Sequence, residues 1–154
     1  MKINYKILIV CLILVFGVGS LGGVFTSSDT EWYNSIKPNI APPDYIFPIV
    51  WNILFFLIAI SLYTSWMKAN KKQRSKIAII FGGNLFFNFL WSLLFFGFQK
   101  PTYAFLDIIL IWLTILMMIL ITWKIEKKSS LLLIPYLIWT SFAGVLNWII
   151  IGNI

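Results

Sequence analysis

Five apolar runs separated by polar breaks fill the chain. They lie at approximately 5–26, 43–67, 77–98, 102–124 and 130–152. Each fits the roughly 17–25 residues that a helix needs to cross about 30 Å of hydrocarbon. In a bilayer every backbone polar group needs a partner inside the protein, and a helix supplies it locally. The pattern predicts an all-α integral membrane protein, a five-transmembrane-helix bundle. Breaks after the second, third and fourth runs are short, so neighbouring helices are expected to be antiparallel. Only the first break, about 27–42, is long, and ordered long loops are where functional side chains concentrate.

That break, with the start of the second run, is rich in Pro and aromatic residues. Between Trp32 and Trp51 stand Tyr33, Pro38, Pro42, Pro43, Tyr45 and Pro48. Proline fixes φ and removes a backbone donor, so Pro38, Pro42 and Pro43 predict a stiff, extended Pro/Trp-rich loop between helices 1 and 2. Pro43 suits the first turn of the second helix, where a missing N–H costs nothing.

Composition agrees with the membrane reading. The 154 residues are 60% hydrophobic and only 11% charged, more apolar surface than a soluble domain of this size hides. Five spans use up nearly the whole chain, which leaves one domain, 1–154. Lys2 and Lys6 followed by an apolar core also fit a cleaved leader. The stretch continues to Phe25, however, so a retained helix is expected.

The formal charge is +7, but the basic residues sit between apolar runs and build no face for nucleic acid. With five spans, one side receives Lys2, Lys6, Lys68, Lys71, Lys72, Arg74, Lys76, Lys124, Lys127 and Lys128. The other receives Lys37 and Lys100. The basic side is expected to be cytoplasmic, which puts the N-terminus inside and the C-terminus and the Pro/Trp loop outside. No His occurs and Cys11 is the only cysteine. The commonest metal ligand and general base is therefore missing, and no metal site is expected.

A few side chains inside the runs stand out. Asn84, Asn88 and Trp91 share one helix face at i, i+4 and i+7. Amides inside a span either tie helices together or face a cavity, and both readings fit. Asp107 is the one acidic residue well inside a span. It serves a site, or it makes a structural hydrogen bond near the outer end. Trp139 stacks over Ala143 at i+4, with Leu146 and Asn147 a turn further. A large indole beside a small residue makes a slot for a flat ligand, or an ordinary packing seam. Trp51 with Phe55 below it gives the second helix an aromatic face toward the same region. Trp66 and Trp123, each near a Lys, read as interfacial anchors. Gly19 and Gly23 permit close helix approach, within the bundle or across a homodimer. Leu57, Tyr63 and Lys68 form a sterol-type pattern, as do Lys2, Tyr5 and Leu8 in reverse; both patterns recur by chance.

Three stretches carry a family resemblance. Trp32 to Trp51 reads W-Y-x-x-x-K-P-x-x-x-P-P-x-x-x-F-P-x-V-W. Asn84 to Phe96 is similar to Q-L-x-x-N-x-x-W-S-x-x-F-F, with Asn84 in the place of Gln. Pro135 to Asn147 reads P-Y-x-x-W-x-x-F-A-x-x-L-N. Together they resemble the TspO/MBR family, the tryptophan-rich sensory proteins of bacteria and translocator proteins of mitochondria.

The resemblance covers all five spans. It implies residence in a bacterial cell membrane, a homodimer, and binding of protoporphyrin IX or a related tetrapyrrole. It also implies binding of synthetic aromatic ligands of the benzodiazepine-receptor type. Tyr33, Trp51, Phe55, Asn84, Asn88, Trp91, Asp107, Ala143 and Asn147 are the expected ligand-binding residues. For bacterial members it implies light- and oxygen-dependent breakdown of the porphyrin, with Trp32 and Trp139 at the positions of the indoles implicated and no cofactor beyond light and oxygen. The animal relatives' C-terminal sterol motif needs a basic residue that this chain lacks after Lys128. Without His, a metal-free porphyrin suits the site better than haem. A porphyrin transporter or stress sensor without catalysis is the alternative, and a purely structural subunit a third.

Overall fold

The computed structural model describes residues 3–26 and 30–154, so Lys2 of the charge count and of one sterol-type pattern lies outside them. The described helices are α1 (Tyr5–Phe25), α2 (Glu31–Ile36), α3 (Ile46–Lys68), α4 (Lys71–Ser92), α5 (Pro101–Trp123), α6 (Lys127–Leu131) and α7 (Ile134–Gly152). A π-helical turn, Leu93–Gly97, extends α4. Five helical segments are long and apolar enough to cross a membrane: α1, α3, α4 with its π turn, α5, and α6 with α7. No strand occurs among the described residues.

Three boundaries differ from the hydropathy pattern. Helix α3 starts at Ile46, three residues after Pro43. Pro43 accepts from the Ile46 N–H in a turn, and Pro48 takes the place in the first helical turn expected of Pro43. Helix α4 starts at Lys71, before its apolar run begins. There Asn70 and Gln73 exchange side-chain-to-backbone hydrogen bonds of 2.9 Å in a capping box, which winds a charged first turn. The fifth run is two helices, because the chain turns at Leu132 and Leu133 before Pro135 enters the first turn of α7. Proline has no N–H to donate back into α6.

Around the bundle the long helices follow the order α3, α1, α4, α5, α7. With the end of the bundle that carries the α1–α3 connection called outer and the opposite end inner, Ile58, Ala59, Ile77, Phe81, Ile115, Met118 and Leu133 fill the inner half and are almost fully buried. Helix α1 meets α3 through Gly19, where an added Cβ would overlap the Phe55 ring. The small residue thus serves packing inside the bundle. Near the inner end, Tyr63 Oη accepts from the Asn4 N–H at 2.9 Å. Tyr63 is therefore buried in the bundle and turned away from lipid.

Polar side chains join α4, α5 and α7. Asn84 Nδ2 donates to Thr114 Oγ1 at 2.9 Å, and Tyr136 Oη donates to Asn84 Oδ1 at 3.1 Å. Asn88 Nδ2 donates to Tyr136 Oη at 3.1 Å. Further out, Trp91 Nε1 donates to Asn147 Oδ1 at 3.1 Å, and Asn147 Nδ2 donates to the Pro101 carbonyl at 2.9 Å. Such bonds contribute about 0.6 kcal/mol each in membrane proteins, but an orphaned member costs more. At the inner end Ser61 Oγ donates to the Ser129 carbonyl at 2.8 Å, and Lys68 pairs with Glu126. Arg74 and Lys127 lie 5.6 and 5.4 Å from the Trp66 and Trp123 ring centres.

Tyr136→Phe removes the hydroxyl shared by both amides and leaves buried polar atoms unpaired, a loss of about 1–3 kcal/mol. Its thermal midpoint in detergent is expected to fall clearly below that of Tyr103→Phe, whose ring is 61% exposed. Equal midpoints would show that the network does not hold the bundle.

Candidate functional site

The outer connection folds into a roof. Thr30 caps α2 by accepting from the Tyr33 N–H at 3.2 Å, which winds Glu31–Ile36 into a helix where a wholly extended loop was expected. That winding buries Tyr33 against Phe95 and Phe96, with ring centres 6.3 and 5.6 Å away. Beyond it Lys37 pairs with Asp44 and lies 5.8 Å from the Tyr33 ring. Burial pushes the Tyr33 phenol above its ordinary pKa, and the Asp44 carboxylate adds to the shift. The prolines do their work after α2, where the Ala41 N–H donates to the Pro38 carbonyl at 2.9 Å in a tight turn.

The π turn completes the wall below. Its widened ladder, in which the Phe98 N–H donates to the Leu93 carbonyl at 2.8 Å, re-aims the side chains that follow Trp91. Phe95 stacks on Trp91 at 4.9 Å and 18°, and Phe96 meets both rings edge-on. Gln99, at φ 52°, ends the turn in the left-handed region, and the Lys100 N–H closes back on the Leu94 carbonyl at 2.9 Å.

Between roof and polar network lies a cavity of about 630 Å³. Trp51, Trp91, Trp139, Phe47, Phe55 and Phe95 supply its aromatic faces, with Ile108, Ile111, Leu146 and Ile150 as aliphatic wall. Its polar residues are Asn88, Asn147, Thr140, Ser92, Asn52, Ser20 and Thr26, with Tyr33, Asp44 and Tyr45 at the roof. Thr140 is 3% exposed and its hydroxyl has no described partner. Trp91 is committed to Asn147, whereas Trp51 and Trp139 donate to no described residue. A space of this size with flat apolar walls and a few orienting donors has the form of a small-molecule site.

The cavity brings together eight of the candidates: Tyr33, Trp51, Phe55, Asn88, Trp91, Trp139, Ala143 and Asn147. Three stand outside its wall. Trp32 is half-buried beside the wall and packs edge-on against Phe95 at 5.6 Å. Asn84 is fully buried a turn deeper, where its amide bonds Thr114 and Tyr136. Asp107 is 4% exposed with both oxygens unpartnered among the described residues, and its side chain is not part of the wall although its neighbour Ile108 and Ile111 one turn on are. Asn88, Trp91 and Asn147 combine the two roles weighed for them, since they tie helices and also line the space.

Several lining residues were not among the candidates. Phe47, Trp51 and Phe55 recur at i, i+4 and i+8 on α3, and Pro48 and Asn52 run beside them. Thr140, Ala143 and Asn147 recur at i, i+3 and i+7 on α7. Both stripes were available as helical spacing. Ile108 and Ile111 carried no signal, because aliphatic side chains in a span look alike whichever way they face.

A family model described as the TspO/MBR family matches residues 10–152. The Tryptophan-rich protein TspO of Chlorobaculum tepidum is 38% identical, over 94% of this chain and 93% of its own length. The protein of the same description from Archaeoglobus fulgidus is 37% identical, over 96% of each chain. The Translocator protein of Bos taurus is 28% identical, over 84% of this chain and 79% of its own. With a match that takes in all five spans, the roof and the cavity wall, the chain belongs to the TspO/MBR family of membrane proteins.

Proposed function

We propose that the protein binds a flat, metal-free tetrapyrrole of the protoporphyrin IX type in the aromatic cavity and promotes its light- and oxygen-dependent breakdown. The observation that carries the reading is the cavity of about 630 Å³ walled by three indoles and several phenyl rings. That volume falls inside the roughly 300–1,000 Å³ usual for small-molecule sites. Indole and phenyl faces stack favourably on an extended π system. No His, Cys or Met lines the space, so the lining offers few of the customary axial ligands to a metal at the ring centre. Synthetic aromatic ligands of similar breadth are expected to compete for the same walls.

In the photochemical step the ligand supplies the excited state and dioxygen the oxidant, while the protein holds the ring and offers an oxidisable side chain. Trp139 is the indole for that role, since it lines the cavity with its N–H uncommitted. Trp32 faces Phe95 instead and is not assigned a part. No pair of catalytic carboxylates, activated nucleophile or metal cluster is gathered in the wall, so the chemistry belongs to the ligand. We place the N-terminus in the cytoplasm and the cavity in the outer half of a bacterial cell membrane, following the lysines.

Trp51→Ala and Asn88→Ala are each expected to weaken protoporphyrin IX binding by about 1–2 kcal/mol, roughly tenfold in Kd. Lys127→Ala, at the far end of the bundle, is expected to leave affinity unchanged. Equal losses in all three, followed by tryptophan quenching in one detergent, would point to general destabilisation.

Trp139→Phe retains a stacking face and is expected to keep most of the affinity while lowering photoproduct yield under illumination in air. Bleaching of the bound porphyrin no different from that in detergent alone, in the unsubstituted protein, would leave carriage or sensing as the role. A C-terminal alkaline phosphatase fusion is expected to be active and a C-terminal fluorescent-protein fusion dark. The reverse pattern would overturn the orientation.

A further inference from the structure

The roof covers the cavity with Tyr33 and the Lys37–Asp44 pair, with Tyr45 exposed at its rim, and one side of the wall is open as well. Helices α1 and α3 run antiparallel and touch at Gly19 and Phe55. Carrying that register outward sets Gly23 opposite Trp51 and Thr26 opposite Pro48. Gly23 nevertheless has space around it: an added Cβ there would meet no described atom within 4 Å. The two helices therefore diverge one turn beyond their contact. Ser20, Gly23 and Asn52 flank the resulting cleft, and all three line the cavity while being exposed on the outside of the bundle.

The other seams differ. Between α3 and α7 the Phe47 and Trp139 rings meet at 5.8 Å and Trp51 meets Tyr136 at 6.1 Å, so aromatic rings fill the gap. Between α1 and the outer end of α4, Gly22 packs on Ser92 and Phe25 on Phe89. On the roof, Tyr33 is buried and the Lys37–Asp44 pair ties its two ends. Inside, Thr140 lines the cavity, and its hydroxyl is buried with no described partner. Both flanks of the cleft lie within segments that cross the membrane, so it opens onto lipid.

We infer that the cleft between the outer halves of α1 and α3 is a lateral portal through which an apolar aromatic ligand dissolved in the bilayer enters the cavity and leaves it. The inference rests on the binding reading above and adds where the ligand comes from. An apolar macrocycle partitions into lipid, so a lipid-facing portal meets it at high local concentration. A water-facing mouth would meet it only rarely. The open space at Gly23 accommodates the edge of a flat ring, and the Gly19–Phe55 contact sets the inner limit of the opening.

A block on the path changes the height of the barrier and leaves both end states alone, so association and dissociation slow by the same factor. The protein carrying Gly23→Cys is reconstituted in liposomes and alkylated after folding with maleimides of increasing bulk. Cys11 is buried in the core and leaves the new thiol as the accessible one. Protoporphyrin IX preloaded in the lipid is the probe, followed by quenching of tryptophan fluorescence. The bulkiest adduct is expected to slow entry and exit together by tenfold or more with little change in Kd. Lys37→Ala, which loosens the roof, is expected to leave both rates unchanged.

Faster entry in Lys37→Ala with no effect of the adducts would overturn the portal in favour of the roof. A raised Kd at an unchanged entry rate would also overturn it, since Gly23 would then be wall only. A nitroxide on the same cysteine, without ligand, is expected to collide readily with oxygen in the lipid and poorly with a water-soluble nickel chelate. The opposite preference would overturn the portal whether or not a porphyrin binds. Failure of the unmodified protein to bind protoporphyrin IX at all would count against the binding reading, and the nitroxide result would then decide the portal alone.

Discussion

Hydrocarbon offers no partner to a polar group, so each amide, indole N–H and hydroxyl placed inside a span must find one within the protein. In this chain that constraint produces a chain of contacts, Thr114–Asn84–Tyr136–Asn88, with Trp91–Asn147–Pro101 above it. These bonds fasten α4, α5 and α7 into one wall. Helices α1 and α3 form a second unit, joined to each other at Gly19 and Phe55 and to the wall through Gly22 and Ser92. The cavity is the space left where the two units separate toward the outer end. Its depth is set by the network, because Tyr136 and Asn88 fill what would otherwise be its floor. Its breadth is set by the aromatic rings that the two units turn toward each other.

Membrane spans and their number were legible because hydropathy over some twenty residues depends only on composition. Boundaries were less so where local hydrogen bonding outweighs hydropathy. The Asn70–Gln73 box starts α4 among charged residues, and Pro135 splits the last span, though neither alters the apolar count. The π turn at Leu93–Gly97 had no sequence signal, yet it aims Phe95 and Phe96 at Trp91. In the loop, prolines suggested an extended strap; Thr30 instead caps a helix there, and that helix puts Tyr33 in the cavity wall and Trp32 on Phe95 beside it. Adjacent residues on a helix point about 100° apart, so a motif that names both does not say which one faces the cavity.

The candidate site shows the same limit from another side. Asn84 and Asn88 share a helix face, but the four-residue step from one to the other is a rise of about 6 Å along the axis. That places Asn88 at the cavity floor and Asn84 below it. Spacing reports the face and not the depth. Thr140 was legible as part of a stripe on α7, yet only its packing shows a buried hydroxyl without a partner. A few such groups among flat apolar walls suit an extended aromatic ligand, held by stacking and oriented by very few donors. They suit neither hydrolysis nor group transfer, which need an activated nucleophile or an acid–base pair.

The central claim is that this cavity is where a porphyrin lies. An experimental structure of the protein in lipid with protoporphyrin IX tests it most directly. The account predicts the macrocycle between Trp51, Trp91 and Trp139, above Asn88 and beneath Tyr33. A macrocycle bound only on the outer, lipid-facing surface of the bundle, with the cavity unchanged, would contradict it.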